Sequence, residues 1–218
     1  MLKIQIDQKK YSDKLILEDI KINIEKPGIY GVIGKNGHGK TTLFKCILGL
    51  ERYNGNSILN QEKLMLQNAG WVPTEPPIYD ELTAQEFYDF YAHLLDLKTF
   101  VFNEIFEVPE NQLIREFSTG MKKKTYLNAV FQKEFPLYIL DEPFNGLDLE
   151  SNYLLMDYVR ELSKTSIVFI SSHILEILYK DCDKIFLLID KNVKEFEKNE
   201  FLEIEKMLFA NYRKDFNL

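Results

Sequence analysis

The sequence predicts an α/β fold: a parallel sheet with helices, an antiparallel β part near the N-terminus, and a helical segment inserted between about residues 75 and 135. Three patterns carry this. Leu2, Ile4, Ile6 and then Ile20, Ile22, Ile24 alternate with polar residues, as half-exposed antiparallel strands do. Ile29–Ile33, Leu137–Leu140 and Ile167–Ile170 are continuous apolar runs, the pattern of parallel strands buried on both faces. Between residues 75 and 135 no such run occurs, and helix signals replace it.

In chain order, the first segment, Met1 to Asp7, alternates like a strand and lacks the apolar core of a secretory leader. Asn54-Gly55-Asn56 reads as a hairpin turn beside the early strands. Val72-Pro73-Thr74-Glu75-Pro76-Pro77 reads as a hinge, because each proline fixes its own φ and drives the preceding residue toward extended backbone. Thr83-Ala84-Gln85-Glu86 is a capping box with Leu82 and Phe87 placed as its hydrophobic staple; Phe87, Phe90, Tyr91, Leu94 and Leu95 then keep helical spacing. Later helices are expected over 150–164, with Leu154, Leu155, Tyr158, Val159 and Leu162 inward, and over 200–210. The expected organisation is one domain, with 1–74 and 136–218 as the core and 75–135 as a helical subdomain.

Composition narrows the function. The 218 residues, 45% hydrophobic and 28% charged, suffice for a sizeable core. The net charge of −7 and the lack of a long basic tract argue against a nucleic-acid partner, which needs clustered cations. The one short basic run, Lys122-Lys123-Lys124, reads as a solvated helix face. Cys46 and Cys182 share no disulfide or zinc spacing, which fits a reducing cytoplasm. No apolar run reaches the roughly 18 to 20 residues needed to span a bilayer, so a soluble chain is expected, one still able to dock on a membrane protein.

Gly34-Lys35-Asn36-Gly37-His38-Gly39-Lys40-Thr41 matches G-x-x-x-x-G-K-[ST], directly after a buried-strand run and before the apolar helical run Leu43, Phe44, Ile47, Leu48. Its glycines let backbone N–H groups turn inward as an anion nest, and the helix N-terminus adds positive potential. Lys40 is placed to neutralise β and γ phosphates, and the Thr41 hydroxyl to ligate Mg2+. Leu137-Tyr138-Ile139-Leu140-Asp141-Glu142 is a buried strand ending in two carboxylates, which puts them at the carboxyl edge of the sheet, where open α/β sheets bind ligands. Asp141 is placed to hold the metal, and Glu142 to act as general base on an attacking water.

These residues, together with three further segments, resemble the ATP-binding cassette (ABC) ATPases. Phe117-Ser118-Thr119-Gly120-Met121-Lys122 resembles the family's signature, Asp141-Glu142-Pro143 its Walker B motif with the catalytic glutamate, Asn145-Gly146-Leu147-Asp148 its D-loop, and Ser171-Ser172-His173 its switch-histidine loop. Order and spacing agree: Ser118 precedes Asp141 by 23 residues and His173 follows Glu142 by 31. The resemblance runs from about Tyr11 to His173. It implies a P-loop NTPase with a RecA-like parallel-sheet core, an N-terminal antiparallel β subdomain and an inserted α-helical subdomain. It implies catalytic roles for Glu142, His173 and Lys40. ATP contacts are implied for Tyr11, which would stack on adenine, for Gly34, Asn36, Gly37, Gly39, Lys40, Thr41 and Thr42, for Ser118 and Gly120, and for Asp148. Ser118 can also cap the helix that follows it, whose open first turn is an anion site in its own right. In the family that site completes the partner's ATP site, which implies a head-to-tail dimer.

One departure stands out. Where the family has a glutamine after an extended strand, this chain has Thr74 followed by Glu75. Two alternatives remain: Thr74 approaches Mg2+ through a water, or Glu75 takes its place. The resemblance implies an ATP- and Mg2+-dependent transport motor, exporter-like in its Met121 signature. Such a motor pairs with a second ATPase subunit, a homodimer being the simplest case. It docks on a separate integral-membrane permease at the inner face of the cell membrane. A soluble ABC ATPase without a permease, of the iron–sulfur assembly kind, is the alternative. A small-molecule kinase would explain the phosphate loop but not the signature, Asp-Glu pair and histidine in that order.

Overall fold

A computed structural model describes residues 1–97 and 104–215, the side chains of 209–215 excepted; the segment 98–103 of the expected helical subdomain lies outside the described residues. In chain order the strands are β1 (Leu2–Tyr11), β2 (Lys14–Ile24), β3 (Gly28–Ile33), β4 (Asn54–Leu59), β5 (Glu62–Lys63), β6 (Ala69–Val72), β7 (Leu137–Asp141), β8 (Ile167–Ser171), β9 (Lys184–Ile189) and β10 (Asn192–Glu197). The α-helices are α1 (Lys40–Ile47), α2 (Ala84–Leu94), α3 (Thr119–Val130), α4 (Leu149–Leu162), α5 (Leu175–Asp181) and α6 (Phe201–Asp215).

Two sheets form. The antiparallel one is ordered β2-β1-β4-β5, and its register sets Leu2 opposite Ile24, Ile4 opposite Ile22 and Ile6 opposite Ile20, so the alternating residues of the sequence bury one another on one face. The larger sheet is ordered β10-β9-β3-β8-β7-β6; it is parallel except for the antiparallel edge strand β10. The apolar runs that predict β3, β7 and β8 are its central strands, buried along their whole length.

Because side chains alternate across a strand, this sheet feeds two cores. Tyr30, Val32, Ile139, Phe169 and Phe186 face α1 and the antiparallel sheet, packing with Phe44, Ile4 and Leu17. Ile29, Ile33, Leu140, Val168, Ile170 and Leu187 face the helices, packing with Phe87, Tyr126, Leu155 and Leu178. Parallel neighbours β3, β8 and β7 all deliver the residues that follow them to one edge of the sheet, and the phosphate-loop residues, the 141–142 pair and His173 meet there.

Several expectations change. Asn54-Gly55-Asn56 is not a turn; it is paired strand, opposite Gln8, Ile6 and Gln5 of β1. Gly55 is needed for close approach, since a Cβ there would overlap the Gln5 carbonyl. The hairpin instead turns at Asn60-Gln61, both with positive φ, as a tight two-residue turn requires. Helix α2 has its capping box: Thr83 Oγ1 accepts from the Glu86 N–H at 3.2 Å, and Glu86 Oε2 accepts from the Thr83 N–H at 2.8 Å. Of its predicted stripe, Phe87 and Tyr91 are buried, but Phe90 and Leu94 sit at the stripe's edge and are exposed, as is Leu154 on α4. Strand β10, after the positive-φ pair Asp190-Lys191, and helix α5 carry no pattern strong enough to read from sequence.

Candidate functional site

The phosphate-loop motif connects β3 to α1. Gly39 is the N-cap of α1 with φ 105°, a left-handed value open to glycine, and this curls the loop so that α1 begins at Lys40. The loop lines a cleft of about 550 Å³. Tyr11, Asn36, Gly37, Gly39, Lys40, Thr41, Thr42, Thr74, Asp141, Glu142 and His173 all line it, so eleven of the residues singled out in the sequence share one concavity. Gly34 enters through its carbonyl, which accepts from Lys40 Nζ at 2.8 Å. Tyr11 is half-exposed at the rim, with Lys9 Nζ 4.2 Å from its ring centroid; Lys9 is itself buried and paired to Glu51 at 2.9 Å.

Asp141, fully buried, closes β7. Three hydroxyls donate to its carboxylate: Thr41 at 2.6 Å and Thr74 at 2.9 Å to Oδ2, and Ser171 at 2.6 Å to Oδ1. Thr74, not the exposed Glu75, therefore reaches this carboxylate. Ser171 is named in the sequence only as part of the switch-histidine segment, with no role of its own. Its signal is positional: it ends a buried strand two residues before His173, and it pairs in register with Asp141. A carboxylate ringed by hydroxyls is a set of hard oxygen donors, the chemistry that suits Mg2+.

Glu142 follows, with φ +51°. Its Oε1 lies 3.0 Å from His173 Nε2 and 3.7 Å from Lys40 Nζ, but neither contact is aligned as a hydrogen bond, and this buried oxygen has no hydrogen-bond partner among the described residues. Burial pushes the Glu142 carboxyl above its ordinary value, against the opposing pull of His173 and Lys40. Burial likewise lowers the Lys40 ammonium, with Glu142 and Asp141 opposing. Beside a phosphate-loop nest, the arrangement offers a basic, buried carboxylate oxygen able to accept a proton.

Ser118, Gly120 and Asp148 do not line this cleft. Ser118 is the N-cap of α3, its Oγ accepting from the Met121 N–H at 3.2 Å. Gly120 packs so closely on the 142–146 loop that a Cβ there would lie 2.6 Å from the Gly146 carbonyl oxygen. Asp148 is the N-cap of α4: its Oδ1 accepts from the Ser151 N–H at 2.8 Å, and its Oδ2 pairs with Lys124 at 2.9 Å. The basic run is not a solvated face. Lys122 pairs with Asp80 at 2.6 Å, Lys124 with Asp148, and Lys123 is 3% exposed. It is turned into the molecule because α3 is covered nearly all round.

Comparison with known proteins agrees with this geometry. Residues 17–145 match the sequence profile of the ABC transporter family. The chain is similar to the ABC transporter ATP-binding protein YtrB of Bacillus subtilis, 30% identical over 94% of this chain and 76% of that protein. It is also similar to the lantibiotic transport ATP-binding protein SrtF of Streptococcus pyogenes, 30% identical over 93% and 94%. A solved structure of an ATP-binding subunit of an ABC transporter superposes with a TM-score of 0.82 at 26% identity, covering 100% of this chain and 94% of that one. A profile match over more than half of its residues, and relatives aligned along nearly its whole length, make this chain a member of the ABC transporter family and one of its ATPases.

Proposed function

We propose that this ATPase is the motor subunit of a transporter, acting as half of a head-to-tail pair on a separate membrane permease. The observation that carries the pairing is a division of labour: one cleft gathers the phosphate loop, Asp141, Glu142 and His173, while Ser118 at the N-terminus of α3 stands outside it. A helix N-terminus with a hydroxyl cap is an anion site, and here it has no anion of its own chain's cleft to meet. A second subunit set head to tail presents that cap to the first subunit's nucleotide.

In this reading the loop amides and Lys40 hold the β and γ phosphates of ATP, and Tyr11 stacks on the base. Thr41, Asp141 and Thr74 would hold Mg2+, which when bound offsets phosphate charge. Glu142 takes a proton from the attacking water, its carboxylate made more basic by burial. His173, beside it, orients that water against the γ-phosphate. ATP draws the pair together and loss of the γ-phosphate releases it, a switch of rigid bodies driven by one phosphate.

The permease contact is supported by apolar surface. Met65, Leu66, Trp71 and Leu94 line a groove of about 420 Å³ between β6 and α2, and exposed Tyr79 and Phe90 stack edge-on beside it at 5.4 Å. In this reading the membrane-spanning part of the machine belongs to the partner and the motor sits at the inner face of the cell membrane; among the described residues no helix is long and apolar enough to cross a membrane. Purification from native membranes in mild detergent tests this: a multi-span protein should accompany the chain. Recovery with soluble partners alone would favour a permease-free ATPase.

A further inference from the structure

Lys123 is a cation that the mechanism above leaves unused. It lies on α3, about one turn past the Ser118 cap, and is almost wholly buried. No carboxylate lies within ion-pair distance of it among the described residues. Its Nζ donates instead to two backbone carbonyls, Glu142 at 2.7 Å and Asn145 at 3.2 Å. Taking an ammonium out of water for two neutral acceptors is costly, and burial lowers its pKa to about 8, with Glu142 and Asp141 only partly opposing.

What those bonds hold is the backbone of Glu142. This residue has φ +51°, a left-handed conformation that a side-chain-bearing residue keeps only when its surroundings enforce it. Both flanking peptide groups are pinned: the Glu142 N–H donates to Ser171 Oγ at 2.9 Å, and its carbonyl accepts from Lys123. The carbonyl also closes the turn to the Asn145 N–H at 3.3 Å, and Lys123 bridges both ends of that turn. With N–H and C=O fixed, the Cα–Cβ direction is fixed, and so is the origin from which the carboxylate reaches into the cleft. Gly120 in contact with the Gly146 carbonyl, and Lys124 paired with Asp148, join the same two elements on either side.

We propose that Lys123 is a positioning residue for ATP hydrolysis: from the helix that carries Ser118 and Gly120, it holds the backbone of Glu142 so that the carboxylate points at the reacting centre. The inference rests on the reading of Glu142 as the general base. It makes the signature helix and the base-bearing loop one mechanical unit, so a displacement of the helix by nucleotide in the partner's site displaces the base in its own.

Lys123→Met and Lys123→Gln test this beside Glu142→Gln, with steady-state and single-turnover hydrolysis and thermal unfolding measured on the full chain. Folded Lys123→Met should lose about tenfold or more in kcat, the scale of a misplaced catalytic group, with KM for ATP within about twofold. Lys123→Gln, which keeps an N–H donor, should recover part of that rate. In the Glu142→Gln background the Lys123 substitutions should change single-turnover rate little, since the lysine acts through that carboxylate. Unchanged kcat in folded Lys123→Met, a rise in KM alone, or an equal loss in the Glu142→Gln background would overturn the proposal. Full turnover by Glu142→Gln would instead overturn the reading of the base.

Discussion

Asp141 accepts from three hydroxyls, and the substitution that distinguishes structural from metal-holding roles among them is Thr74→Val. It removes one donor to Oδ2 while nearly preserving shape. If Thr74 belongs to the Mg2+ site, the Mg2+ concentration giving half-maximal hydrolysis should rise about fivefold, the equivalent of ~1 kcal/mol for one hydrogen bond; a Mg2+ titration of turnover measures it, and an unchanged midpoint assigns Thr74 to packing alone. At this scale the sequence was readable where a residue type has one chemical use in its context, as with Lys40 after three glycines or Asp141 at a strand's end. It was not readable where the partner is a distant backbone group. Ser171 and Lys123 act on Asp141 and on the Glu142 carbonyl, and no local pattern announces a bond across 30 or 19 positions. Lysines in a row read as solvated because long cations seldom lose their water; here the helix bearing them is enclosed.

Among the elements, α4 depends on its cap. Asp148 holds the first turn through Ser151, and these bonds, with the Lys124 pair, keep its carboxyl well below the usual carboxylate range. A depressed carboxyl stabilises the fold fully above the unfolded value of about 3.9 and loses that effect as pH falls through the folded value. Asp148→Ala should therefore lower Tm across neutral and mildly acidic pH, and the gap from the parent chain should close only in strong acid; equal melting curves at pH 7 would contradict the cap. Element legibility followed signal redundancy. Helix α2 combines a capping box with a long apolar stripe, whereas Asn54-Gly55-Asn56 carries turn residues whose real cause is the close approach of β1. The exposed Phe90 and Leu94 fit the helical period as well as Phe87 does, since periodicity marks a face without saying how wide the covering is.

At the scale of the whole molecule, one sheet supports two cores and one reactive edge. Phe169, fully buried at the centre of β8, meets the rings of Tyr30, Phe44 and Phe186 at 6.0 to 6.2 Å. Phe169→Ala should destabilise the fold by about 3–5 kcal/mol, seen as a lower denaturation midpoint, because it opens a cavity where the antiparallel sheet, α1 and the parallel sheet meet. The parallel core was legible because strands buried on both faces must be apolar throughout, and that pattern has few other sources. The antiparallel edge strand β10, polar on its open face, has no comparable signature.

The central claim is that Glu142 is the base of a site completed by a second subunit. Size-exclusion chromatography of Glu142→Gln with and without ATP, alongside phosphate release, tests it most directly. Turnover should fall by about a hundredfold or more, while ATP should shift the variant from monomer to a stable dimer that ADP does not support. Undiminished turnover, or a variant that binds ATP yet stays monomeric, would contradict the account.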